Sequence, residues 1–411
     1  MNPWRIVIAG MVSLAVAMGI GRFAFTPLLP MMLADGTVSL AGASWLASAN
    51  YLGYLVGALL CTLQPWIWRR LGSPPPPQST VLVRIGLVAT VLLTLGMVLY
   101  WPVAWPALRF AAGVASALVF VYTSGWCLAQ LAQMNLPTMG AMIYTGPGVG
   151  IVLSGLAASG MVALHWSAFT GWLIFGVLAA LLTAAVWDTF HVGAKPPPSP
   201  SPSPSPSAAA ASTTRPHPAT TGKGTEMALF TFAYGLAGFG YIITATFLPV
   251  IARQAIPGSP WLDMFWPLFG LGVVVGALVA SRIHGVRDLR LLLIACYLIQ
   301  AVGIATSLIS PTLGGFTLGS LLLGLPFTAI TFFAMQELRR LRPAQAPAYM
   351  GLATASYGIG QIVGPPLAVA MLARSRTPGE GFTLSLEIAA CALLLGTLIY
   401  GLMVRSYPVK K

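Results

Sequence analysis

Long uncharged apolar stretches recur along the whole chain, and they constrain its fold more than any other feature. At a rise of about 1.5 Å per residue, a stretch of about 20 residues crosses a hydrocarbon layer of about 30 Å. Of the 411 residues, 57% are hydrophobic and 7% are charged. Because a soluble domain carries about 25% charged residues, the chain is predicted to be embedded in a lipid bilayer.

The apolar stretches are continuous and about twice as long as a barrel strand, so they predict helices and not a transmembrane β-barrel. The first stretch runs to about Met32 without an A-x-A-type cleavage site, so we interpret it as a span and not as a signal peptide. Hydropathy predicts twelve spans, over residues 5–32, 43–64, 80–100, 103–132, 139–163, 168–190, 226–252, 262–283, 289–309, 312–338, 346–372 and 383–405.

Residues 195–224 interrupt this series with a Pro/Ser repeat that is poor in apolar residues, a composition typical of a disordered, partly extended spacer. The fold class predicted is therefore an all-α polytopic membrane protein of two six-helix bundles. The first bundle covers residues 1–192, a linker covers 193–225, and the second bundle covers 226–411.

The positions of Lys and Arg predict the orientation, because these residues accumulate in cytoplasmic loops. With the N-terminus inside, 16 cations fall on the cytoplasmic side, and only Arg253, Arg374 and Arg376 fall outside. We therefore expect both termini and the linker in the cytoplasm, and the protein in a bacterial-type inner membrane. The net charge of +13 is spread between the spans and forms no single stripe, so no nucleic-acid partner is expected.

An internal repeat supports the division into halves. The segment GIGR…LP from Gly19 aligns with GFGY…LP from Gly238, and GAL at Gly57 aligns with GAL at Gly276, both at an offset of 219. Parallel repeats of this kind are typical of secondary transporters that expose one site alternately to each side.

Three motifs then resemble those of the major facilitator superfamily. Residues 109–113 resemble its R-x-x-x-G signature, GPGVG at 146–150 resembles its G-P-x-x-G signature, and GQIVGPP at 360–366 is the counterpart in span eleven. The opening GIGRFAFTPLLP at 19–30 is similar to the YbfB/YjiJ-type branch, whose cargo is undefined. The resemblance covers nearly the whole chain and implies the fold and a transport function, but no substrate. In one departure, Cys61 and Ala280 occupy positions where the superfamily has an acidic residue.

Two arginines lie inside predicted spans, where a charge is costly and needs a reason. Arg22 and Arg109 are predicted at depths of roughly 15 Å and 9 Å from the outer ends of spans one and four. They are expected to form an anion-attracting pair, because guanidinium groups suit carboxylate, sulfonate or phosphate. The alternative is that each binds helix carbonyls at a packing interface.

All eight acidic residues fall in loops or near span ends, so no carboxylate is expected near the midplane. This argues against efflux of cationic drugs and favours an anionic cargo. Glu387 is the remaining candidate for a proton carrier. The four histidines map to loops or span ends, so a buried imidazole relay is not expected.

Polar and aromatic residues on the spans are candidates for lining a substrate site. Tyr241 is of most interest, because the repeat places it opposite Arg22. The other candidates are Asn50, Tyr51, Tyr122, Tyr144, Thr328, Tyr357 and Gln361. Gly146, Pro147, Gly360, Gly364 and Pro365 are interpreted as hinge and packing elements at a rocking contact between the halves.

The sequence therefore predicts a secondary active transporter, proton-linked, for a small organic anion or other small metabolite, acting as a monomer in the bilayer. It contains no Walker A sequence, and neither an enzyme activity nor a cofactor or metal is expected. An exporter of hydrophobic or amphipathic compounds is one alternative. A membrane sensor that binds ligand without moving it is another.

Overall fold

The computed structural model describes residues 2–71, 78–99, 101–190, 222–259, 261–283, 285–342 and 345–408. Within these ranges, 12 helical segments are long and apolar enough to cross a bilayer. We number them spans 1 to 12: Pro3–Ala34, Leu40–Gln64, Ser79–Gly96, Trp105–Gln133, Met139–Ala163, Ala168–Phe190, Gly224–Ala255, Leu262–Arg282, Leu289–Ile309, Leu313–Leu341, Tyr349–Arg374 and Pro378–Ser406. The predicted all-helical fold is confirmed.

Several spans belong to longer helices, and others are built from two or more segments. Helices Leu40–Leu71, Gly222–Ala255 and Ala346–Arg374 contain spans 2, 7 and 11. Span 5 joins a 3₁₀ segment, Pro137–Thr145, to the α-helix Gly146–Ala163, and span 10 joins Leu313–Gly324 to Phe327–Leu341. Spans 6 and 8 each combine an α-helix with a short 3₁₀ turn, Ala168–Val186 with Trp187–Phe190, and Leu262–Met264 with Phe265–Arg282. The predicted linker, 193–225, lies largely outside the described residues, and the helix of span 7 begins at Gly222.

The repeat in the sequence corresponds to repeated packing. A Cβ placed on Gly57 would lie 2.9 Å from Cα of Val114, so spans 2 and 4 approach each other backbone to backbone. The equivalent Gly276 lies against Leu325, where a Cβ would fall 1.6 Å from the carbonyl oxygen. Glycine at both positions therefore lets the second span of each half pack closely on the fourth.

The most extensive contacts between the two halves, spans 1–6 and spans 7–12, are made by three pairs of spans in the described part of the chain. Span 2 packs against span 11, span 5 against span 8, and span 1 against span 7. Spans 1 and 7 are the most buried of the twelve, because each has neighbours on all sides. Polar side chains on these two spans are therefore enclosed by protein at the contact between the halves.

Candidate functional site

Span 1 is interrupted in its middle. Its first α-helix, Pro3–Leu14, continues as a π-helix over Ala15–Ile20, and residues 21–24 form turns before the second α-helix, Phe25–Ala34. Gly19 lies at this interruption against span 5, where a Cβ would fall 2.4 Å from Cα of Gly150. A π-helical turn inside a helix often marks a functional site, because it redirects side chains and loosens backbone hydrogen bonds.

Arg109 of span 4 binds the interrupted backbone. Its Nη1 donates to the carbonyl of Gly21 at 3.1 Å, and its Nη2 donates to the carbonyl of Arg22 at 3.0 Å. Asn50 of span 2 in turn donates from Nδ2 to the carbonyl of Arg109 at 2.9 Å. Arg109 is only 2% exposed, and both of its terminal nitrogens are hydrogen-bonded to span 1. Arg109 and Asn50 thus join spans 1, 2 and 4 directly beside Arg22.

Arg22 reaches across to the other half. Its Nη2 donates to Oε1 of Gln361 on span 11 at 2.8 Å, and Nε2 of Gln361 donates to the hydroxyl of Tyr241 on span 7. Arg22 is 3% exposed, and its Nε has no hydrogen-bond partner among the described residues. The guanidinium therefore retains an unused, buried N–H donor at the contact between the halves.

Aromatic rings of the first half surround the same guanidinium. Its Cζ lies 4.2 Å from the ring centroid of Tyr54, 5.2 Å from that of Tyr51 and 5.1 Å from that of Phe23. Ring faces attract a cation electrostatically, by about 0.5–2 kcal/mol for each well-placed pair. These contacts stabilise the charge without neutralising it.

No carboxylate neutralises Arg22 or Arg109 in the described part of the chain, which contains all eight acidic residues. Asp263 pairs with Arg253, and Asp35 accepts from the backbone N–H of Ala168 at 2.7 Å. A buried charge without a counter-ion is costly, and such charges inside membranes mark substrate or ion pathways.

The second half adds a wall of aromatic side chains. Tyr241 and Tyr357 stack with ring centroids 6.0 Å apart and an interplanar angle of 26°. Tyr234 lies 4.9 Å from Tyr357, and Phe327 lies 5.0 Å from Tyr241. Phe23 of the first half contacts Phe327 at 5.9 Å, so the aromatic contacts cross between the halves.

Three further hydrogen bonds join the halves on one side of Arg22. We call this side the Ala34 face, because span 1 ends there at Ala34 and span 7 at Ala255; the opposite side, where span 1 begins, is the Pro3 face. The bonds run from Thr26 Oγ1 to the Ala245 carbonyl at 2.8 Å, between the Tyr51 and Thr246 hydroxyls at 3.0 Å, and from Ser48 Oγ to the Ile362 carbonyl at 3.0 Å. The halves are therefore joined between Arg22 and the Ala34 face.

The predicted site residues thus separate into groups. One group lies around Arg22 and comprises Gln361, Tyr241 and Tyr357. Beside this group, Arg109 and Asn50 donate to backbone carbonyls. Tyr144 belongs to the 3₁₀ segment of span 5 and packs on Phe120 of span 4, with ring centroids 6.0 Å apart. Tyr54 was not among the predicted residues, although a ring at one helical turn from Asn50 was available as a signal.

The expected place of three glycines requires a correction. A Cβ on Gly146 would lie 2.3 Å from the carbonyl oxygen of Met11, and one on Gly360 would lie 2.5 Å from that of Gly235. Gly364 faces Ile242. These contacts join span 5 to span 1 and span 11 to span 7, so they lie within a half and not between the halves. Gly148 of the same motif does meet the other half, because a Cβ placed there would lie 2.8 Å from the carbonyl oxygen of Gly270 on span 8.

The two prolines have different positions. Pro147 occupies the first turn of the α-helix that starts at Gly146, where its missing N–H costs little. Pro365 lies inside the long helix of span 11, where it removes a backbone hydrogen bond. Only the Pro147 position coincides with a change of helix type.

Sequence reasoning missed a buried charge cluster at the Pro3 face of the second half. Arg290, fully buried, binds both carboxylate oxygens of Asp288 at 2.9 Å and donates to the Tyr407 carbonyl at 2.8 Å. Glu226 and Glu337 lie 3.6 and 3.8 Å from Arg290. Although burial opposes ionisation, the bonds and charge of Arg290 hold the pKa of Asp288 below its ordinary value. The spacings Asp288-x-Arg290 and Glu337-x-x-Arg340 were the available signals.

Glu337 differs from Glu387, the residue predicted as a proton carrier. Glu387 is exposed on the surface of span 12. Glu337 is fully buried; its Oε1 lies 2.7 Å from Arg340, and its Oε2 has no hydrogen-bond partner among the described residues. Glu337 is thus the enclosed carboxylate of the two.

Comparison with known proteins gives a family match and likenesses to solved structures. The family described as uncharacterised MFS-type transporter YbfB matches over residues 14–401. A crystal structure of a mutant of the nucleoside transporter NupG is similar with a TM-score of 0.70 and 15% identity, covering 98% of this chain and 99% of that chain. The crystal structure of NupG itself gives a TM-score of 0.64 and 14% identity, covering 98% and 100%. At these identities the likeness shows the fold alone.

No curated protein matches the chain.

Proposed function

The chain belongs to the YbfB-type family of major facilitator superfamily transporters, and from that premise we propose that it moves a small organic anion bound at Arg22 by alternating access. The observation that carries the proposal is the buried guanidinium of Arg22, which lies between the halves without a carboxylate partner among the described residues. An anionic cargo supplies the missing counter-ion, and its departure towards either side leaves Gln361 as a neutral substitute.

The hydrogen bonds around the site support a state that is closed on the Ala34 face. Bonds from Thr26, Tyr51 and Ser48 must break for the halves to separate there. Each is worth about 0.5–1.5 kcal/mol, so a cargo that binds Arg22 more favourably in the open state by a few kcal/mol would offset their loss. Rocking of one half against the other then presents Arg22 to each side in turn.

The distribution of Lys and Arg supports an orientation in which the Pro3 face and both termini are cytoplasmic, in a bacterial-type inner membrane. Accessibility of a cysteine introduced at Ala34 or at Asn2 to a membrane-impermeant reagent, in a background without native cysteines, tests this orientation. Labelling of the Asn2 variant from outside intact cells would reverse it.

Coupling to protons is part of the proposal, and Glu337 is the carboxylate that we assign to it. Its buried Oε2, without a partner among the described residues, can take up a proton without first breaking a hydrogen bond. The Glu337→Gln variant should exchange cargo across proteoliposomes but lose acceleration by an imposed proton gradient. Unchanged acceleration would remove Glu337 from the coupling step.

Binding of anions to the purified protein tests whether Arg22 forms an anion site. A ligand that binds only the folded protein raises its thermal stability. We expect the purified protein to be stabilised by some members of a panel of carboxylates, sulfonates and phosphates, and the Arg22→Ala variant to give no response. Stabilisation only by neutral or cationic amphiphiles would favour the second candidate, an exporter of amphipathic compounds, for which the aromatic wall at Tyr241 and Tyr357 is the supporting observation.

A further inference from the structure

Of the two buried guanidinium groups at the site, that of Arg22 is the one that reaches the second half. Both terminal nitrogens of Arg109 are bound to the carbonyls of span 1, whereas Arg22 donates to Gln361 of the second half; the Nε of each arginine has no hydrogen-bond partner among the described residues. The four lysines of the sequence, at positions 195, 223, 410 and 411, lie outside the predicted spans. One carboxylate can pair with Arg22 in place of the Gln361 oxygen, whereas a second anionic group on the ligand would find both terminal nitrogens of Arg109 already bound to backbone carbonyls.

The neighbourhood of that charge is aromatic on both sides. Tyr54 of the first half lies against the guanidinium at 4.2 Å, and Tyr357 of the second half stacks on Tyr241, whose hydroxyl accepts from Gln361. Two of these rings, Tyr54 and Tyr357, are half-buried, whereas Tyr241 is 1% exposed. Ring surface therefore remains accessible on one residue from each half.

The two accessible rings lie at the same level of the interface. A Cβ placed on Gly358 would be 3.3 Å from Cβ of Leu55, which brings the backbones of spans 2 and 11 together one residue after Tyr54 and Tyr357. When a flat ring stacks on another ring, it stabilises the complex by about 0.5–1.5 kcal/mol beyond the effect of burying its apolar surface. A planar ligand suits such a pair better than a branched or flexible one.

We propose that the cargo of the Arg22 site is an aromatic monocarboxylate, with its carboxylate on Arg22 and its ring against Tyr54 and Tyr357. This inference rests on the proposed function and narrows it to a class of compound. The carboxylate takes the place that the Gln361 oxygen holds on Arg22, so that binding releases one bond between the halves.

Four matched compounds test this class: benzoate, cyclohexanecarboxylate, phthalate and benzyl alcohol. They differ in ring planarity, in charge and in the presence of a carboxylate. Thermal stabilisation of the purified full-length protein over a concentration series gives an apparent affinity for each. We expect benzoate to bind roughly two- to tenfold more tightly than cyclohexanecarboxylate, which is the range that ring stacking supplies. Phthalate and benzyl alcohol should bind more weakly than either.

The variants separate the ring contact from the charge. Tyr357→Leu should remove the preference for benzoate over cyclohexanecarboxylate, whereas Tyr357→Phe should retain it. Tyr54→Leu is the second variant, for use if Tyr357→Leu does not fold. In all of them Arg22-dependent binding of a carboxylate should persist.

The outcomes distinguish failure of the aromatic ligand class from failure of the proposed anion transport. Equal binding of benzoate and cyclohexanecarboxylate, both lost in Arg22→Ala, would overturn the aromatic class and leave the proposed function standing. A benzoate preference that survives both leucine variants would also overturn it. If no monocarboxylate binds but a sulfonate or phosphate binds through Arg22, only the monocarboxylate class fails; if no anion binds, or if benzyl alcohol alone binds and does so independently of Arg22, the proposed function itself fails.

Discussion

Thr26 and Ala245 occupy equivalent positions of the internal repeat, and the Thr26 hydroxyl donates to the Ala245 carbonyl at 2.8 Å across 219 residues. The two halves therefore touch at matching points of spans 1 and 7, as expected close to an axis that relates parallel repeats. Because the contact lies between Arg22 and the Ala34 face, opening that face must break it.

Loss of this hydroxyl should favour opening. Thr26→Val keeps the shape of the side chain but removes a hydrogen bond worth about 1 kcal/mol, so the open population should rise roughly fivefold. Spin labels on cysteines at Ala34 and Ala255, in a background without native cysteines, report the distance between the halves. Thr306→Val, which loses only a bond to the Val302 carbonyl of its own helix, is the matched control. Identical distance distributions in both variants would show that Thr26 does not hold the halves together.

Gln361 can be converted into a permanent counter-ion. In Gln361→Glu, a carboxylate replaces the amide 2.8 Å from Arg22, so we expect a charge pair that stabilises the closed state, raises thermal stability and abolishes flux. Gln361→Met removes the competing oxygen, and anions should then bind more tightly than to the native protein. Normal flux in Gln361→Glu would contradict the assignment of Arg22 to the cargo.

Arg109 should behave as a positioning residue. Arg109→Met leaves the Gly21 and Arg22 carbonyls without their donors, at a cost of about 1–3 kcal/mol for each buried group. We expect a lower thermal stability and a lower affinity for anions, with partial recovery of both in Arg109→Lys. Arg374→Met, at an exposed position, serves as the control. Native stability combined with lost anion binding would instead make Arg109 a direct ligand.

The cluster around Arg290 should give a pH-dependent contribution to stability. The pKa of Asp288 is lowered in the folded protein, so its carboxylate stabilises the fold above its unfolded pKa of about 3.9 and stops doing so as the pH falls through the folded value. Asp288→Asn should lower stability near pH 7 by about 1–3 kcal/mol, because it removes the bidentate partner of Arg290 while Glu226 and Glu337 remain at 3.6 and 3.8 Å. The difference between the variant and the native protein should shrink below about pH 4. A difference in melting temperature that does not change with pH would contradict this role.

The sequence predicted the spans well because bilayer thickness imposes one length on every apolar stretch. It could not predict the interruption of span 1 at Ala15–Ile20, since this segment is as apolar as the helical segments on either side of it. That interruption depends on distant partners, the guanidinium of Arg109 and the close backbone of Gly150. Gly146 was predicted as a packing element, but which helix it meets is a property of the assembled bundle.

The candidate site was partly predictable for a related reason. Arg22 was identifiable because a charge inside an apolar span is rare, and Tyr241 followed from the repeat. Tyr54 and the buried Glu337 were not identified, since neither an additional tyrosine nor an acid near a span end is unusual in such a chain. Burial separates Glu337 from Glu387, and the sequence does not report burial.

Counterflow of radiolabelled small organic acids in proteoliposomes tests the central claim most directly. The native protein and the Arg374→Gln control should exchange at least one acid, and Arg22→Gln should exchange it at least roughly thirtyfold more slowly, as expected when one partner of a buried charge pair is removed. Exchange of that acid at the native rate by Arg22→Gln, or exchange of neutral compounds alone by the native protein, would contradict an anion-binding role for Arg22.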